Sequence, residues 1–436
     1  MSTFTRRQAL LSTLFGAGCV GLRALATGLP ASFLLNPREA LASPSLPACV
    51  SPGKAQFIIL STSGTGDPIN ASVPGSYDDP KIVHSPDPAL APASLTIQGR
   101  AYTAAAPWAS LPQNVLDRTI FWHLMTGTPV HPKEPQVLQL MGATQGGEML
   151  PSLLARQLAP CLGTIQPQPI SVGAYTPAEG LTYGGAALPV VPALALKATL
   201  TDPSGPLAAL RPLRDQTLNQ LYDLYKTQAT TAQKRYIDSL VTSQQQLRSV
   251  NQGLLSALST IQDDSPASQI VAAITLIRMK VSPVITLHIP FGGDNHADSN
   301  LGVETAQTIS GVRAIASLMQ QLASAGLQDQ VTFLSLNVFG RTLGPGNANG
   351  RQHNGNHQVS LCIGKPFKGG VIGGVAPVGT DYGAVDIDSK TGTGGAGGDV
   401  RASDTLASFG RTMLAAIGGD TSVVTGGGAV VGAALA

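Results

Sequence analysis

The chain has 436 residues, with 27 Lys and Arg against 25 Asp and Glu, for a formal net charge of +2. Only 12% of the residues are charged and 43% are hydrophobic, which excludes an intrinsically disordered chain and is enough to bury a large core. A charge this close to balance, with no basic blocks, argues against nucleic acid or an anionic membrane surface as the main partner.

Met1–Arg7 is a short polar segment ending in Arg6-Arg7, followed by the apolar runs Ala9–Leu22 and, beyond Arg23, Ala24–Leu35. Ala40-Leu41-Ala42 before Ser43 has the small-x-small pattern of a cleavage site. The uninterrupted apolar run is shorter than the ~20 residues that cross a bilayer, so residues 1–42 are expected to be a removable export signal rather than an anchor. The sequence Thr5-Arg6-Arg7-Gln8-Ala9-Leu10-Leu11 resembles the twin-arginine signal. That resemblance implies the twin-arginine translocase as a partner, a periplasmic or extracellular destination and no stable membrane span after cleavage. Losing residues 1–42 removes four arginines and one glutamate, turning +2 into −1. Cys49, Cys161 and Cys362 then remain, an odd number that permits at most one disulfide among them.

Lys54–Ser61 is an apolar run ending in a turn-rich segment, the pattern of a buried first strand. Asp67–Pro112 is rich in Pro and Ser and predicts a long irregular excursion. Asn114–Met125 predicts a helix end followed by a second strand, Gln136–Cys161 a helix, and Pro169–Gly173 a third strand. Leu213–Ile261 lacks Pro and carries Leu218, Leu221, Tyr225, Ile237, Leu240, Leu247, Leu254 and Leu258 at helical spacing. It predicts a helical insertion at about 207–263 packing on the main sheet. Ser282–Ile289 and Val331–Leu336 read as further strands and Glu304–Ala325 as a helix. Gln358–Ile363, a Gly-rich stretch to Gly398, a helix over Ser403–Ile417 and a Gly/Ala-rich tail at 421–436 complete the chain. Alternating strands and helices predict a single α/β domain over 43–436 with a mostly parallel sheet. In such sheets the chemistry gathers in loops beyond the carboxyl ends of the strands.

Three of those loops concentrate reactive side chains. Ser61 to Asn70 offers Asp67 with several hydroxyls, Gly292 to Asp298 offers Asp294 and His296, and Phe339 to His357 offers Arg341, Arg351, His353 and His357. Carboxylates with neutral imidazoles suit a divalent metal, and guanidinium suits a phosphate or sulfate.

The three loops, in order, resemble the domain-of-unknown-function family 1501, grouped with the alkaline phosphatase–sulfatase superfamily. Gly64 to Pro74 resembles that family's Gly-Gly-x-Asp-Gly-x-Asn-Thr-Val-Val-Pro, and Gly292-Gly293-Asp294-Asn295-His296 its Gly-Trp-Asp-Thr-His. Phe339-Gly340-Arg341-Thr342, then Asn347, Gly350-Arg351 and His353, match its Phe-Gly-Arg-Thr and Asn-x-x-Gly-Arg-Asp-His. Lys368 to Gly373 resembles a later Gly-rich segment, so the likeness runs from Lys54 to Ile417. It implies an alkaline-phosphatase-like fold and a divalent metal (Zn, Mn, Ca or Fe) held by Asp67, Asp294, His296 and His353. It further implies Arg341 and Arg351 on the anion of a small phosphate or sulfate ester. Two departures stand out: Val338 occupies the place of an acid before Phe-Gly-Arg, and Gln352 replaces the acid of Gly-Arg-Asp-His. Each would weaken a second metal site. Ser63, Thr65 and Ser72 are the hydroxyls near the place of a nucleophile, and none is singled out.

Each residue also has a plain structural reading: Asp67 as a turn cap, the arginines as loop braces, His288 as a core histidine on its strand, and His84 as a loop residue without partners. His123 and His131 flank Thr126-Gly127-Thr128-Pro129, in a region where the family has histidines. Two functions are therefore expected as alternatives: an exported metal-dependent hydrolase, or a non-catalytic envelope protein that keeps the scaffold with a degenerate metal site.

Overall fold

The computed structural model describes residues 54–173, 180–201 and 252–436, together with helical positions 216, 220, 223 and 227. The expected signal with Arg6 and Arg7, Cys49 and most of the helical insertion lie outside the described residues. The last turns of that insertion are helical, at Gln252–Ser259.

Among the described residues, seven strands form the central sheet: β1 (Phe57–Ser63), β2 (Thr119–Leu124), β3 (Ile170–Ser171), β4 (Val284–Leu287), β5 (Val331–Asn337), β6 (Gln358–Ile363) and β7 (Gly370–Ile372), in the spatial order β7-β2-β6-β5-β1-β4-β3. Every pairing is parallel except those of β6, which runs antiparallel to β2 and β5. The sheet is thus mostly parallel and flanked by helices, as the alternating pattern predicts.

Runs such as Phe57-Ile58-Ile59-Leu60 are buried at every position because both faces of the sheet are covered. Successive side chains alternate between faces. Phe57, Ile59, Ile285, Phe333 and Leu361 pack with the helices Pro266–Arg278 and Gly302–Ser324. Ile58, Leu60, Trp122, Val284 and Leu334 pack with Leu150–Leu162 and Thr405–Ala416 on the other side. No described helix is long and apolar enough to cross a membrane.

Several expectations are corrected. The excursion at Asp67–Pro112 contains a hairpin, Pro92–Ile97 with Arg100–Ala105. Its two-residue turn puts Gln98 at φ 50° and Gly99 at φ 75°, a conformation whose twist matches paired strands. The helix expected over Gln136–Cys161 is broken. A short turn at Glu134–Leu138 is separated from Leu150–Leu162 by left-handed residues at Leu140, Met141, Gly142, Gly146 and Gly147. Helix Pro266–Arg278 had no counterpart in the sequence reading. The tail, for which the sequence gives only its Gly/Ala-rich composition, is packed: Val424, Val431 and Ala434 are buried, and Lys368 N–H donates to Ala434 O.

One polar chain crosses the buried carboxyl edge of the sheet. His123 Nε2 lies 2.9 Å from Pro74 O, His123 Nδ1 lies 2.9 Å from His357 Nε2, and Asn70 Nδ2 lies 3.3 Å from His357 Nδ1. Asn70 in turn clasps the backbone of Arg341 through both its amide groups. Burial pulls His123 down to about 4, and burial followed by the charge of His123 pushes His357 well below its ordinary value.

Both imidazoles are therefore neutral in the folded chain, while the unfolded chain protonates them near pH 6.5. Below that pH the unfolded state binds more protons, so stability is expected to fall as pH drops from about 6.5 toward 4. His123 alone accounts for an expected loss on the order of 3 kcal/mol, read from denaturant midpoints across that window, and His357 adds to it in the same direction. The double variant His123→Gln with His357→Gln should show a shallower slope there.

Candidate metal centre

The parallel strands β1, β2, β4 and β5 deliver their following loops to one edge of the sheet, and β6 begins there because it runs the opposite way. His131 comes from the loop after β2, Asp294 and His296 from the loop after β4, and His353 from the segment leading into β6. These four side chains converge, each offering a ligand atom, with all the atoms within 4.8 Å of one another. His296 Nε2 is 3.0 Å and His353 Nε2 3.6 Å from Asp294 Oδ1, and His131 Nε2 is 3.5 Å from Asp294 Oδ2.

The outer nitrogens orient the rings. His131 Nδ1 lies 2.7 Å from Gly64 O, His353 Nδ1 2.6 Å from Pro129 O and His296 Nδ1 3.0 Å from Gln352 Oε1. A carbonyl oxygen only accepts, so each Nδ1 carries a hydrogen, and a ring in its neutral form turns a bare Nε2 lone pair inward. His296 Nε2 and His353 Nε2 are 2.7 Å apart. Two lone pairs at that distance repel unless a cation lies between them, either a proton or a metal. Three imidazoles and one carboxylate suit Zn²⁺, Mn²⁺ or Fe²⁺ better than Ca²⁺, which takes oxygen ligands. The donor set therefore fits a single divalent transition metal.

The surrounding loops are held closely. Phe339 lies under two of the rings, with centroid distances of 4.3 Å to His353 and 4.9 Å to His131. Gly66, at φ +68°, makes room for it, since a Cβ there would lie 2.0 Å from the Phe339 ring. Gly350, at φ +127°, lets its loop approach His296, where a Cβ would come within 2.1 Å of the His296 carbonyl oxygen. Arg341 is fully buried and donates to Gly66 O, Thr65 O, Gly293 O and Asp294 Oδ1.

Burial raises the Asp294 carboxyl, but the Arg341 hydrogen bond and charge, with His296 and His131, outweigh it and hold the group below the usual carboxylate range. Burial lowers Arg341, opposed by Asp294. Burial also lowers His353, partly offset by its bond to Pro129 and reinforced by the neighbouring Arg341, His131 and His296. The shifts of Asp294 and His353 favour an anionic carboxylate and a neutral imidazole, the forms that ligate a metal.

Of the expected ligands, Asp294, His296 and His353 come together and Asp67 does not join them. Asp67 is buried and its Oδ1 accepts from Phe291 N–H (3.0 Å) and Gly293 N–H (2.7 Å), tying the β1 loop to the β4 loop. Arg341 and Arg351, expected either on the anion or as loop braces, are both buried and bonded to protein groups. Arg351 is fully buried and forms a two-point pair with Glu304, at 2.6 and 3.0 Å, while also bonding Val83 O and Thr342 O. His131 is the member of the cluster that sequence reasoning did not select. Its signal was its position, just beyond a parallel strand's carboxyl end. Gln352 orients His296 from behind.

His84 is not without a partner, because its Nδ1 meets Ala71 O at 3.1 Å. Cys362 is buried in the core, with its thiol pushed up by burial. Among the hydroxyls, Ser72 is locked in the core, donating to Ile69 O and accepting from Trp108 Nε1, and Ser63 is buried. Thr65 alone of the three lines the cleft of about 880 Å³ that opens beside His131 and Asp294.

No protein-family model matches the chain, and no curated protein matches it significantly.

Elemental analysis of metal-reconstituted protein should find one divalent metal per chain. His131→Ala or His296→Ala should weaken metal affinity at least about 100-fold, whereas Asp67→Asn should leave the stoichiometry unchanged. Arg351→Met strands the buried Glu304 carboxylate and is expected to cost about 3–5 kcal/mol in denaturant unfolding. Arg351→Met with Glu304→Leu should recover most of that loss.

Proposed function

We propose that the chain is an exported metal-dependent hydrolase built on a scaffold of the alkaline phosphatase–sulfatase kind, with one divalent ion held by His131, Asp294, His296 and His353. The observation that carries this reading is the convergence of three imidazoles, each offering a ring nitrogen, and one carboxylate at the rim of an open cleft. When bound there, such an ion would polarise an ester carbonyl or phosphoryl oxygen and lower the pKa of a water molecule to about 7. The chain's own residues orient and exclude. Gly64, Pro129 and Gln352 fix the three rings, and Arg341 holds Asp294 ionised. Thr65 offers a hydroxyl at the cleft wall, hydrogen-bonded to Ser63 at 2.7 Å. Export through the twin-arginine translocase belongs to the same reading and rests on Arg6-Arg7 and the apolar run after them.

A second reading, a non-catalytic envelope protein that retains the scaffold, draws support from Val338 and Gln352 at positions where the family carries acids. The internal commitment of both arginines also favours it.

A screen of chromogenic carboxyl, phosphate and sulfate esters on zinc-, manganese- and iron-loaded protein separates the two. Turnover is expected with at least one metal, is expected to disappear with a chelator and to return on re-addition. His296→Ala should lower kcat/KM by at least about 100-fold. A metal-replete protein inert toward every ester class would favour the scaffold reading.

A further inference from the structure

The cleft beside the centre is far larger than the four ligands require. At about 880 Å³ it lies in the range of pockets that enclose whole organic ligands. It runs from Thr65 and His131 past the carboxyl ends of β4 and β3, where Val172, Val190, Pro192, Pro266 and Pro290 form its wall. Among its described lining residues the only carboxylates are Asp264 and Asp294, and there is no Lys or Arg. Arg341 and Arg351 lie close by in the fold but are fully buried and already paired with Asp294 and Glu304.

The polar Gln269 is part of the wall and not a free recognition group. Its Oε1 accepts from His288 N–H at 2.8 Å and its Nε2 donates to Asp264 O at 2.8 Å. It fills the space where a side chain on Gly173 would stand, since a Cβ there would lie 1.9 Å from Gln269 Oε1. His288 and Gln307 also line the cleft, with His288 Nδ1 lying 2.8 Å from Thr62 O and Gln307 Oε1 accepting from Gly292 N–H, and an anionic ester would find no lysine or arginine there for its remaining oxygens. Apolar surface that can be covered by a ligand favours hydrocarbon instead.

From this lining we propose that the cleft binds an uncharged acyl ester, with its carbonyl at the four-ligand centre and a medium-length hydrocarbon arm along Val172, Val190, Pro192, Pro266 and Pro290. The fate of the ester rests on the hydrolase reading above; the preference for an apolar arm rests on the cleft alone. In the hydrolysis, the acyl C–O bond breaks and the oxygen of a water molecule bonds to the acyl carbon. One water proton leaves with the departing alcohol, so the products are a carboxylic acid and an alcohol.

Binding and turnover are read separately. Zinc-loaded full-length protein is titrated calorimetrically with aceto-, butyro- and octanohydroxamate, with inorganic phosphate and sulfate in parallel and octanamide as a metal-independent control. Octanohydroxamate is expected to bind at least about tenfold more tightly than acetohydroxamate and more tightly than either inorganic anion. Pro192→Asp and Val190→Asp, each checked for parental metal content, should erase the chain-length gain. Either variant suffices if the other fails to fold. Affinity independent of chain length, or tighter binding of phosphate or sulfate, overturns the proposal. Tight, chain-length-dependent binding without hydrolysis of p-nitrophenyl octanoate would sustain the assignment of the cleft and overturn the hydrolase reading instead.

Discussion

The site depends on one buried guanidinium. Arg341 has no exposure to solvent, yet its donors reach the loop after β1 through Thr65 and Gly66, the loop after β4 through Gly293 and Asp294, and its own loop through Arg351 O. Three segments distant in sequence are thereby tied to one charge. A buried cation is costly unless it is paired and fully hydrogen-bonded, and Arg341 is both. The same bond that satisfies Arg341 holds Asp294 ionised and aimed at the histidines. Its supports extend inward through Asn70 to the His123–His357 pair, so core and site share a continuous set of hydrogen bonds.

A second buried pair, Arg351 with Glu304, performs the same service one layer deeper. It pins the loop that carries Gln352 and His353 to the helix Gly302–Ser324. Gly350 and Gly66 allow the backbone and the Phe339 ring to approach within distances that any Cβ would block. Rigid support of this kind is what a metal centre demands, because ligand atoms must be held near their final positions before the ion arrives. It also explains why conserving charge type alone would not reproduce the site: both arginines serve as forks with several simultaneous partners, which lysine cannot replace.

Much of the site was legible because the chain is poor in charge. With few acids and histidines, Asp294, His296 and His353 stood out in loops after apolar runs, and the structure brings them together. Asp67, Arg341 and Arg351 were equally visible as residue types, but their partners were not. Whether a carboxylate faces a cleft or caps two backbone amides depends on which loop packs against it. His131 was passed over for the converse reason: its own segment carries no other ligand, and its three companions arrive from strands β4 and β6. The missed hairpin at Pro92–Ile97 and Arg100–Ala105 reflects weak alternation, and the broken helix after Gln136 reflects left-handed residues that apolar periodicity does not register.

The sequence by itself determined the mostly parallel α/β character, since runs buried on both faces and alternating with helices leave few other arrangements. It also determined which edge of the sheet would gather the reactive loops, because strand direction follows from chain order. Only the tertiary structure decided that four particular side chains meet, that both arginines turn inward, and that the neighbouring cleft has an apolar wall and no lysine or arginine among its described lining residues. Those outcomes depend on contacts between segments tens to hundreds of residues apart. Such contacts are set by strand order and loop packing, which local propensity does not encode.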